Sequence, residues 1–198
     1  MVREVELDGA GAMAEALRRG MLLVAAPGLI DPNFFRTVVL LCEHTPQGAL
    51  GLVLNRVTEH AIGEVCAQIP EALGRTERVY VGGPVQTDHL LVLHREPTLD
   101  GKPIIDGIRL VGDAEVLRAL LASPHTPGRD LFRCYAGYAG WGEGQLEREL
   151  EAGGWILVEG DARLVFDVPS AELWSEALRK KGGVYVLTAE LPPCPELN

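Results

Sequence analysis

The sequence predicts a mixed α+β fold, because strand-like and helix-like segments intermix without the regular strand–helix alternation of a doubly wound sheet. The most clearly defined segment, residues 37–54, predicts an antiparallel hairpin. The chain has 198 residues, of which 47% are hydrophobic and 23% are charged, as in folded globular proteins. Neither an internal repeat nor a linker interrupts it, so we expect residues 1–198 to form a single domain with a core at about residues 20–190.

Two apolar runs and the turn between them predict the hairpin. Residues 37–42 are continuously apolar after a leading threonine and rich in β-branched side chains, which is typical of a strand buried on both faces. The turn residues 45–48, Thr-Pro-Gln-Gly, separate this run from a return strand at residues 49–54.

The register of this hairpin separates two of its polar residues. With the turn at residues 45–48, His44 pairs with Ala49, and Asn55 falls opposite Val38. At the rise of a strand this places His44 and Asn55 roughly 20 Å apart, so they are expected not to share a site. His44 also has the parity of Val38, which predicts an inward-facing side chain.

The remaining elements are predicted from periodicity and from capping residues. Short apolar runs predict strands at residues 21–26, 79–81, 90–93, 131–138 and 155–158. Apolar residues at helical spacing predict helices at residues 11–19, 61–69, 114–122 (with Asp113 as N-cap), 144–152 and 169–181. Turn chemistry predicts loops at residues 27–33 and 95–107, a glycine-rich turn at 137–144, and a flexible Pro-rich tail from residue 192.

Charge and hydropathy limit the class of function. Lys and Arg number 18 and Asp and Glu number 28, so the formal net charge is −10. Direct DNA binding is therefore not expected, since phosphate contacts need clustered basic residues. No apolar run approaches the roughly 20 residues of a membrane-spanning helix, so no membrane association is expected. The sequence leaves the oligomeric state open.

The cysteines indicate the cellular compartment. The four cysteines are too far apart for a CxxC metal or redox motif. Cys42 and Cys134 lie inside apolar runs and are expected to be small core residues. The apolar run at residues 21–26 is too short for a secretory signal and follows an acidic segment. We therefore expect a cytoplasmic protein in a reducing environment.

The glycine-rich turn at residues 137–144 is a candidate anion-binding turn, because it joins a predicted strand to a predicted helix. Its Gly-x-Gly is followed by Gln145 where the phosphate-binding fingerprint requires glycine. The favoured interpretation is a tight turn in which Tyr138 and Trp141 pack over the core.

Glu143, Glu147 and Glu151 are spaced by four residues and are expected to form one acidic stripe on the helix that follows. The favoured interpretation is a solvent-exposed helix face on which the neighbouring Arg148 reduces the repulsion between the carboxylates. The stripe is also the best candidate for a surface that contacts a partner.

Catalytic arrangements have little support. The chain has three serines, none in a GxSxG motif, and it has no HExxH motif. A Cys42–His44 dyad is conceivable, but nothing around Cys42 favours a thiolate. The remaining enzyme hypothesis places Asp31, Glu43 and His44 together near the loop after the first strand.

Several ordered blocks resemble the YqgE/AlgH family of bacterial proteins, over roughly residues 20–180. The blocks are Pro27-Gly28-x-x-Asp31-Pro32-x-Phe34, then Val38-Val39-x-x-Cys42-Glu43-His44-x-x-x-Gly48-Ala49-x-Gly51-x-Val53-x-Asn55, then Gly82-Gly83-Pro84-Val85, then Gly137-Tyr138-x-Gly140-Trp141-x-x-Gly144-Gln145-Leu146-Glu147-x-Glu149, and Trp155.

This resemblance implies an α+β fold in which a mixed sheet curls into a barrel-like core with flanking helices. It implies no reaction, cofactor or catalytic residue. The family is often labelled a transcriptional regulator. A net charge of −10 and the lack of a recognisable DNA-reading helix argue against direct DNA binding.

We therefore expect a non-enzymatic regulatory or adaptor protein that binds a protein partner or a small ligand, with no cofactor, no metal and no catalytic residue. The alternatives are a transcriptional regulator that contacts DNA and a hydrolase-like enzyme acting near His44. The candidate binding residues are Asp31, His44, Asn55, Trp141, Gln145 and Glu147.

Overall fold

The computed structural model describes residues 17–123 and 130–191. Its strands are β1 (Met21–Ala25), β2 (Val38–Thr45), β3 (Gly48–Val53), β4 (Val57–Ala61), β5 (Arg78–Val81), β6 (Val85–His94), β7 (Lys102–Ile105), β8 (Ile108–Val111), β9 (Phe132–Gly142) and β10 (Trp155–Glu159). Its α-helices are α1 (Ile62–Val65), α2 (Ala114–Ala122), α3 (Gln145–Glu151), α4 (Ala162–Phe166), α5 (Leu173–Lys181) and α6 (Tyr185–Ala189), and a 3-10 helix spans Pro70–Ala72.

The ten strands form one mixed sheet. Its main path runs β10-β1-β2-β3-β9-β6-β8-β7, and β5 joins β9 beside this path and carries β4 on its other edge. The β5–β9 pair is parallel, whereas the pairs along the main path are antiparallel. The predicted α+β class with a mixed sheet is confirmed.

The sheet curls so that β7, at one end of its strand order, reaches the residues that flank β1 and β10 without pairing with β10. A Cβ placed on Gly160, which follows β10, would lie 2.2 Å from the carbonyl oxygen of Gly20 and 2.8 Å from Cδ1 of Ile105 on β7. Only glycine allows backbone and side chains to approach this closely. The barrel-like curl that the family resemblance implies is therefore present.

The concave, inner face of the curl holds the largest core cluster. Side chains of alternate strand residues, among them Leu22, Leu40 and Tyr135, pack there against α5. The side chains that α5 buries are those predicted from its helical spacing: Leu173, Trp174, Ala177 and Leu178.

The convex, outer face is covered by α3 and α2. Side chains of the opposite parity, including Leu23, Val39 and Trp141, pack against Leu146 and Leu150 of α3. A third cluster lies under α2, which Asp113 caps as predicted by accepting from the N–H groups of residues 115 and 116.

A β-bulge in β2 decides which face its last residues occupy. His44 pairs with Ala49 as predicted, but the register shifts between Leu41 and Glu43. Cys42 remains in the inner core, while His44 contacts α3 on the outer face. The expected inward orientation of His44 is therefore wrong, because the extra residue of the bulge reverses the alternation beyond it.

The same bulge displaces the predicted partner of Asn55. Val38 pairs with Leu54, whose N–H donates to the Val38 carbonyl at 2.9 Å, so Asn55 lies one position further along than expected. The inference that His44 and Asn55 lie at opposite ends of the hairpin is unaffected by a shift of one residue.

The segment predicted as a glycine-rich turn is mostly strand. β9 continues through Gly142, and the turn is confined to Glu143 and Gly144. Gly137, with φ of +70°, allows this continuation because it occupies the left-handed region where the β6–β9 register is irregular.

Other boundaries also differ from the sequence patterns. The predicted helix at residues 61–69 is wrong beyond Val65, where α1 ends. The stretch 95–107, predicted as loop, contains β7, and the patterns do not predict β4, β8, α4 or α6. Most of the predicted helix at residues 11–19 and the tail from residue 192 lie outside the described residues.

Replacing Gly137 with alanine is expected to destabilise the fold by about 2 kcal/mol or more, because alanine is strained in the left-handed region. Its Cβ would also lie 2.6 Å from the Gly83 carbonyl oxygen. Urea unfolding measures the loss. Gly140→Ala on the same strand is the matched control, since a Cβ there meets nothing closer than 3.4 Å; equal stability losses in the two variants would contradict this role of Gly137.

Candidate functional site

A cleft of 420 Å³, here called the tip cleft, opens at the tip of the β2–β3 hairpin. Its lining includes the apolar side chains of Leu50 and Val85, the ring of Tyr138, and the backbone at Gly140. Thr45 adds a polar side chain at the turn. The tip cleft therefore combines apolar walls with a few polar groups, as small-ligand sites commonly do.

A second cleft, here called the basic cleft, adjoins the first and has a volume of 560 Å³. It is lined by Arg18, Arg19 and Lys102, and it shares Glu43 and Thr45 with the tip cleft. Lys102 forms an ion pair with Glu43, which places this pair at the boundary between the two clefts. The basic cleft thus gathers three cations in a protein whose net charge is −10.

His44 links the basic cleft to α3 on the outer face. Its Nε2 lies 2.7 Å from Oε1 of Glu147, and both side chains are half-buried. Burial raises the pKa of the Glu147 carboxyl, but hydrogen bonds from its own backbone N–H and from His44 outweigh burial, so its pKa lies below the usual value. Glu147 is therefore a charged, hydrogen-bonded anchor for His44.

A second carboxylate joins the two tryptophans of the outer face. Oε2 of Glu149 accepts from Nε1 of Trp141 at 2.9 Å and from Nε1 of Trp155 at 2.8 Å. Gln145 donates to the other oxygen of Glu149 at 2.9 Å. Phe34 packs against the two indoles, with ring centroids 6.3 and 5.5 Å away. These contacts make a rigid aromatic support behind the hairpin tip.

The predicted site residues divide into two groups. Trp141, Gln145, Glu147 and His44 gather around α3, close to the hairpin tip. Glu149 belongs to this group although sequence reasoning does not select it as a site residue. Its spacing of four from Gln145 is the signal that places both on one helix face.

Asp31 and Asn55 lie at the other end of β2, where each organises the backbone. The Asp31 carboxylate accepts from the N–H of Asn33 at 2.8 Å in an exposed turn. The Asn55 amide accepts from the N–H of Val38 at 3.0 Å and donates to the carbonyl of Arg36 at 2.9 Å. These hydrogen bonds give Asp31 and Asn55 a structural role in holding the local backbone.

The residues of the enzyme hypothesis do not meet in one place. Glu43 and His44 line the basic cleft, but Asp31 is not part of its lining. Cys42 points into the inner core, on the opposite face from His44, and burial raises the pKa of its thiol to about 12. The arrangement therefore supplies neither the Cys42–His44 dyad nor a convergent Asp31–Glu43–His44 set.

The expected acidic stripe is interrupted. Glu143 lies in the turn before α3, Glu147 is engaged by His44, and Glu151 is exposed at the end of the helix. The three carboxylates do not form a continuous helical face, because α3 begins at Gln145.

In residues 17–123 and 130–191, no group of three or more His, Cys, Asp or Glu side chains is placed to hold a metal ion. None of the helices in these ranges is long and apolar enough to cross a membrane.

The sequence profile of a family described as AlgH-like matches residues 22–186. The chain belongs to the AlgH-like family. A UPF0301 protein of Chlorobaculum tepidum is 39% identical over 186 residues, covering 93% of this chain and 97% of the relative. A UPF0301 protein of Streptomyces coelicolor is 41% identical over 182 residues, covering 90% and 94%. The YqgE/AlgH resemblance is confirmed.

Two solved structures have the same fold as this chain. The solution structure of AlgH from Pseudomonas aeruginosa aligns with a TM-score of 0.67 at 33% identity, covering 88% of this chain and 95% of that chain. The crystal structure of a Corynebacterium diphtheriae protein aligns with a TM-score of 0.69 at 22% identity, covering 90% and 97%, and supports the fold alone. The curled α+β sheet is thus shared by AlgH itself.

Truncation of Glu149 tests the support behind the hairpin tip. Glu149→Ala leaves two buried indole N–H groups without their acceptor, so it is expected to destabilise the protein by about 1–3 kcal/mol. Urea unfolding followed by tryptophan fluorescence measures the change. Glu151→Ala, an exposed position on the same helix, is the matched control for helix propensity, which both substitutions raise; a similar loss in the control would contradict the role of the Glu149–indole hydrogen bonds.

Glu147 predicts a specific pH dependence of stability. Because its pKa is lowered on folding, its contribution is present above the ordinary carboxyl value of 4.5 and is lost as the pH falls through the lower folded value. The difference in unfolding free energy between the wild type and Glu147→Gln is therefore expected above about pH 5 and should shrink in more acidic solution. Glu143→Gln is the control, and a difference that grows with acid would contradict the assignment.

Proposed function

We propose that this AlgH-like protein is a non-enzymatic regulatory or adaptor protein that binds a protein segment or a small ligand at the hairpin tip. The adjoining tip cleft and basic cleft, with volumes of 420 and 560 Å³, carry this proposal. Both open at one end of a curled sheet, a common position for ligand sites in folds of this kind.

The linings of the two clefts suit a ligand that has an apolar group at one end and an anionic group at the other. The tip cleft offers the apolar surfaces of Leu50, Val85 and Tyr138. The basic cleft offers Arg19 beside two ion pairs, Lys102–Glu43 and Arg18–Glu159. An apolar group in the first cleft and an anionic group in the second would be complementary to these linings.

The rigid support behind the hairpin favours binding at a preformed surface. Trp141 is one of the lining residues of the tip cleft, and its indole nitrogen donates to Glu149 on the outer face. His44 lines the basic cleft and is held by Glu147. Side chains fixed in this way lose little further conformational freedom on binding, which favours affinity. Among the predicted residues, His44, Trp141, Gln145 and Glu147 therefore stay in the proposal.

The regulator label of the family fits binding to another molecule better than direct contact with DNA. The net charge of −10 opposes approach to a phosphate backbone. Asp31 does not line the basic cleft with Glu43 and His44, which favours binding over the hydrolase-like alternative. A cytoplasmic location remains part of the proposal and is consistent with the buried free thiols of Cys42, Cys66 and Cys134.

Site-specific photocrosslinking in cells tests the binding site. A photoreactive phenylalanine analogue at Gln47, an exposed lining residue of the tip cleft, is expected to give one recurring adduct, identified by mass spectrometry. Gly140→Trp should remove this adduct, because the indole would occupy the cleft beside Tyr138 and Val85.

Gly140→Ala and a photocrosslinker at the exposed Arg118 are the matched controls. The adduct should persist in Gly140→Ala and should not form from position 118. Urea unfolding confirms that each variant is folded. An adduct that survives Gly140→Trp, or one that forms equally at both crosslinker positions, would refute binding at the tip cleft.

A further inference from the structure

Among residues 17–123 and 130–191, no strand pairs with the second edge of β10. This strand stands first in the strand order, and its only partner among the described strands is β1. The unpaired edge of a strand offers backbone N–H and C=O groups to an incoming chain. A protein segment in extended conformation can bind there by adding a strand.

The register shows which backbone groups of β10 face this edge. The N–H of Ala26 donates to the carbonyl of Gly154 at 2.9 Å, within the antiparallel β1–β10 pairing. Since hydrogen-bonding direction alternates along a strand, the backbone of Ile156 and residue 158 points to β1 in the same way as that of Gly154. The backbone groups of Trp155, Leu157 and Glu159 therefore point to the open edge.

A groove of 550 Å³ runs along this edge and is lined by every residue of β10. Its outer wall comes from Leu150 of α3 and the ring of Trp155, both 4% exposed, and ends at Glu159, whose carboxylate is paired with Arg18. Its inner wall comes from the end of α5 and the start of α6, with Lys180, Lys181 and Tyr185. The two walls thus differ in charge on the two faces of the strand.

This difference defines the side chains that an added strand would carry. Successive residues of a strand point to opposite faces, so every second side chain would meet Leu150 and Trp155, and the others would meet the lysines. Lys180 is already paired with Asp161 at 2.6 Å. Lys181 is exposed and forms no ion pair among the residues that the structure describes, so it is the cation open to a ligand.

We propose that the free edge of β10 is a docking site for an extended segment of a partner protein in which acidic and apolar residues alternate. The added strand pairs with the backbone of Trp155, Leu157 and Glu159. Its apolar side chains lie along Leu150 and Trp155, and its acidic side chains lie along Lys181. This site is separate from the tip cleft and the basic cleft, so it does not depend on the function proposed for them.

Charge disfavours a second copy of this chain as the occupant. Two β10 edges paired antiparallel about a two-fold axis would bring the lysine walls of both copies to the same groove. Lysine beside an open edge is also a known way of preventing self-association of sheets. The same lysines attract an acidic strand, and this selects the chemistry of the partner.

Amide chemical shifts of the ¹⁵N-labelled full chain test the proposal directly. The probe is a capped synthetic peptide of about six residues with the repeat Glu-Val, a length that matches one short strand. It is expected to shift the amide signals of Trp155, Leu157 and Glu159, and to bind more weakly as salt is raised. A Lys-Val peptide of the same length is the charge control and should bind at least about tenfold more weakly.

Two variants separate the contribution of charge from that of backbone pairing. Lys181→Glu should weaken Glu-Val binding about tenfold, whereas Arg118→Glu, the matched surface control on α2, should leave it unchanged. Leu157→Pro removes an N–H that points to the open edge and is tolerated at an edge strand, so it should also abolish binding.

If Leu157→Pro does not fold, the exchange of the Leu157 amide with deuterium replaces it, and the Glu-Val peptide should slow that exchange in the wild type. Equal affinity for the Glu-Val and Lys-Val peptides would overturn the proposal. So would a Lys181→Glu variant that binds as the wild type does. A second copy as the true occupant would appear as the same amide shifts on raising the protein concentration without peptide, and would also refute an acidic partner.

Discussion

The architecture depends on strand β9, which pairs with β6 along one edge and with β5 and then β3 along the other. At Gly137, whose backbone is left-handed, the β6–β9 register shifts and the strand kinks. Before Gly137 the strand pairs with β5 and with residues 90–94 of β6, and after it the strand pairs with Val85 and with β3. The tip cleft, the aromatic support and the start of α3 are all built on or next to the part of β9 that follows this kink.

Sequence patterns predict the elements that are determined by residues close to one another along the chain. The β2–β3 turn, the Asp113 cap and the buried face of α5 follow from residues within one or two turns of each other. β7 and β8 are not predicted, because this part of the chain is rich in Pro and Gly. These segments form strands because they pair with each other, and β8 also pairs with β6.

The candidate site could be predicted only in part, because its geometry depends on a bulge that periodicity does not reveal. Counting along β2 places His44 on the inner face, but the additional residue at Cys42 transfers it to the outer face and brings it to Glu147. The grouping of Trp141 with Gln145 follows from their proximity along the chain. The bridging of Trp141 and Trp155 by Glu149 depends on how β9, α3 and β10 pack together, which the periodicity of any one element does not predict.

The placement of the tryptophans gives the molecule a built-in optical readout. Trp141 and Trp155 share a carboxylate on the outer side of the sheet, whereas Trp174 lies inside the curl, donates to the carbonyl of Ala25 at 2.8 Å and is covered by the Arg36 guanidinium 4.0 Å from its ring. The two sides of one sheet therefore carry chromophores in unlike electrostatic surroundings. Single-tryptophan versions would report whether the convex and concave layers melt together or in sequence, without any external label.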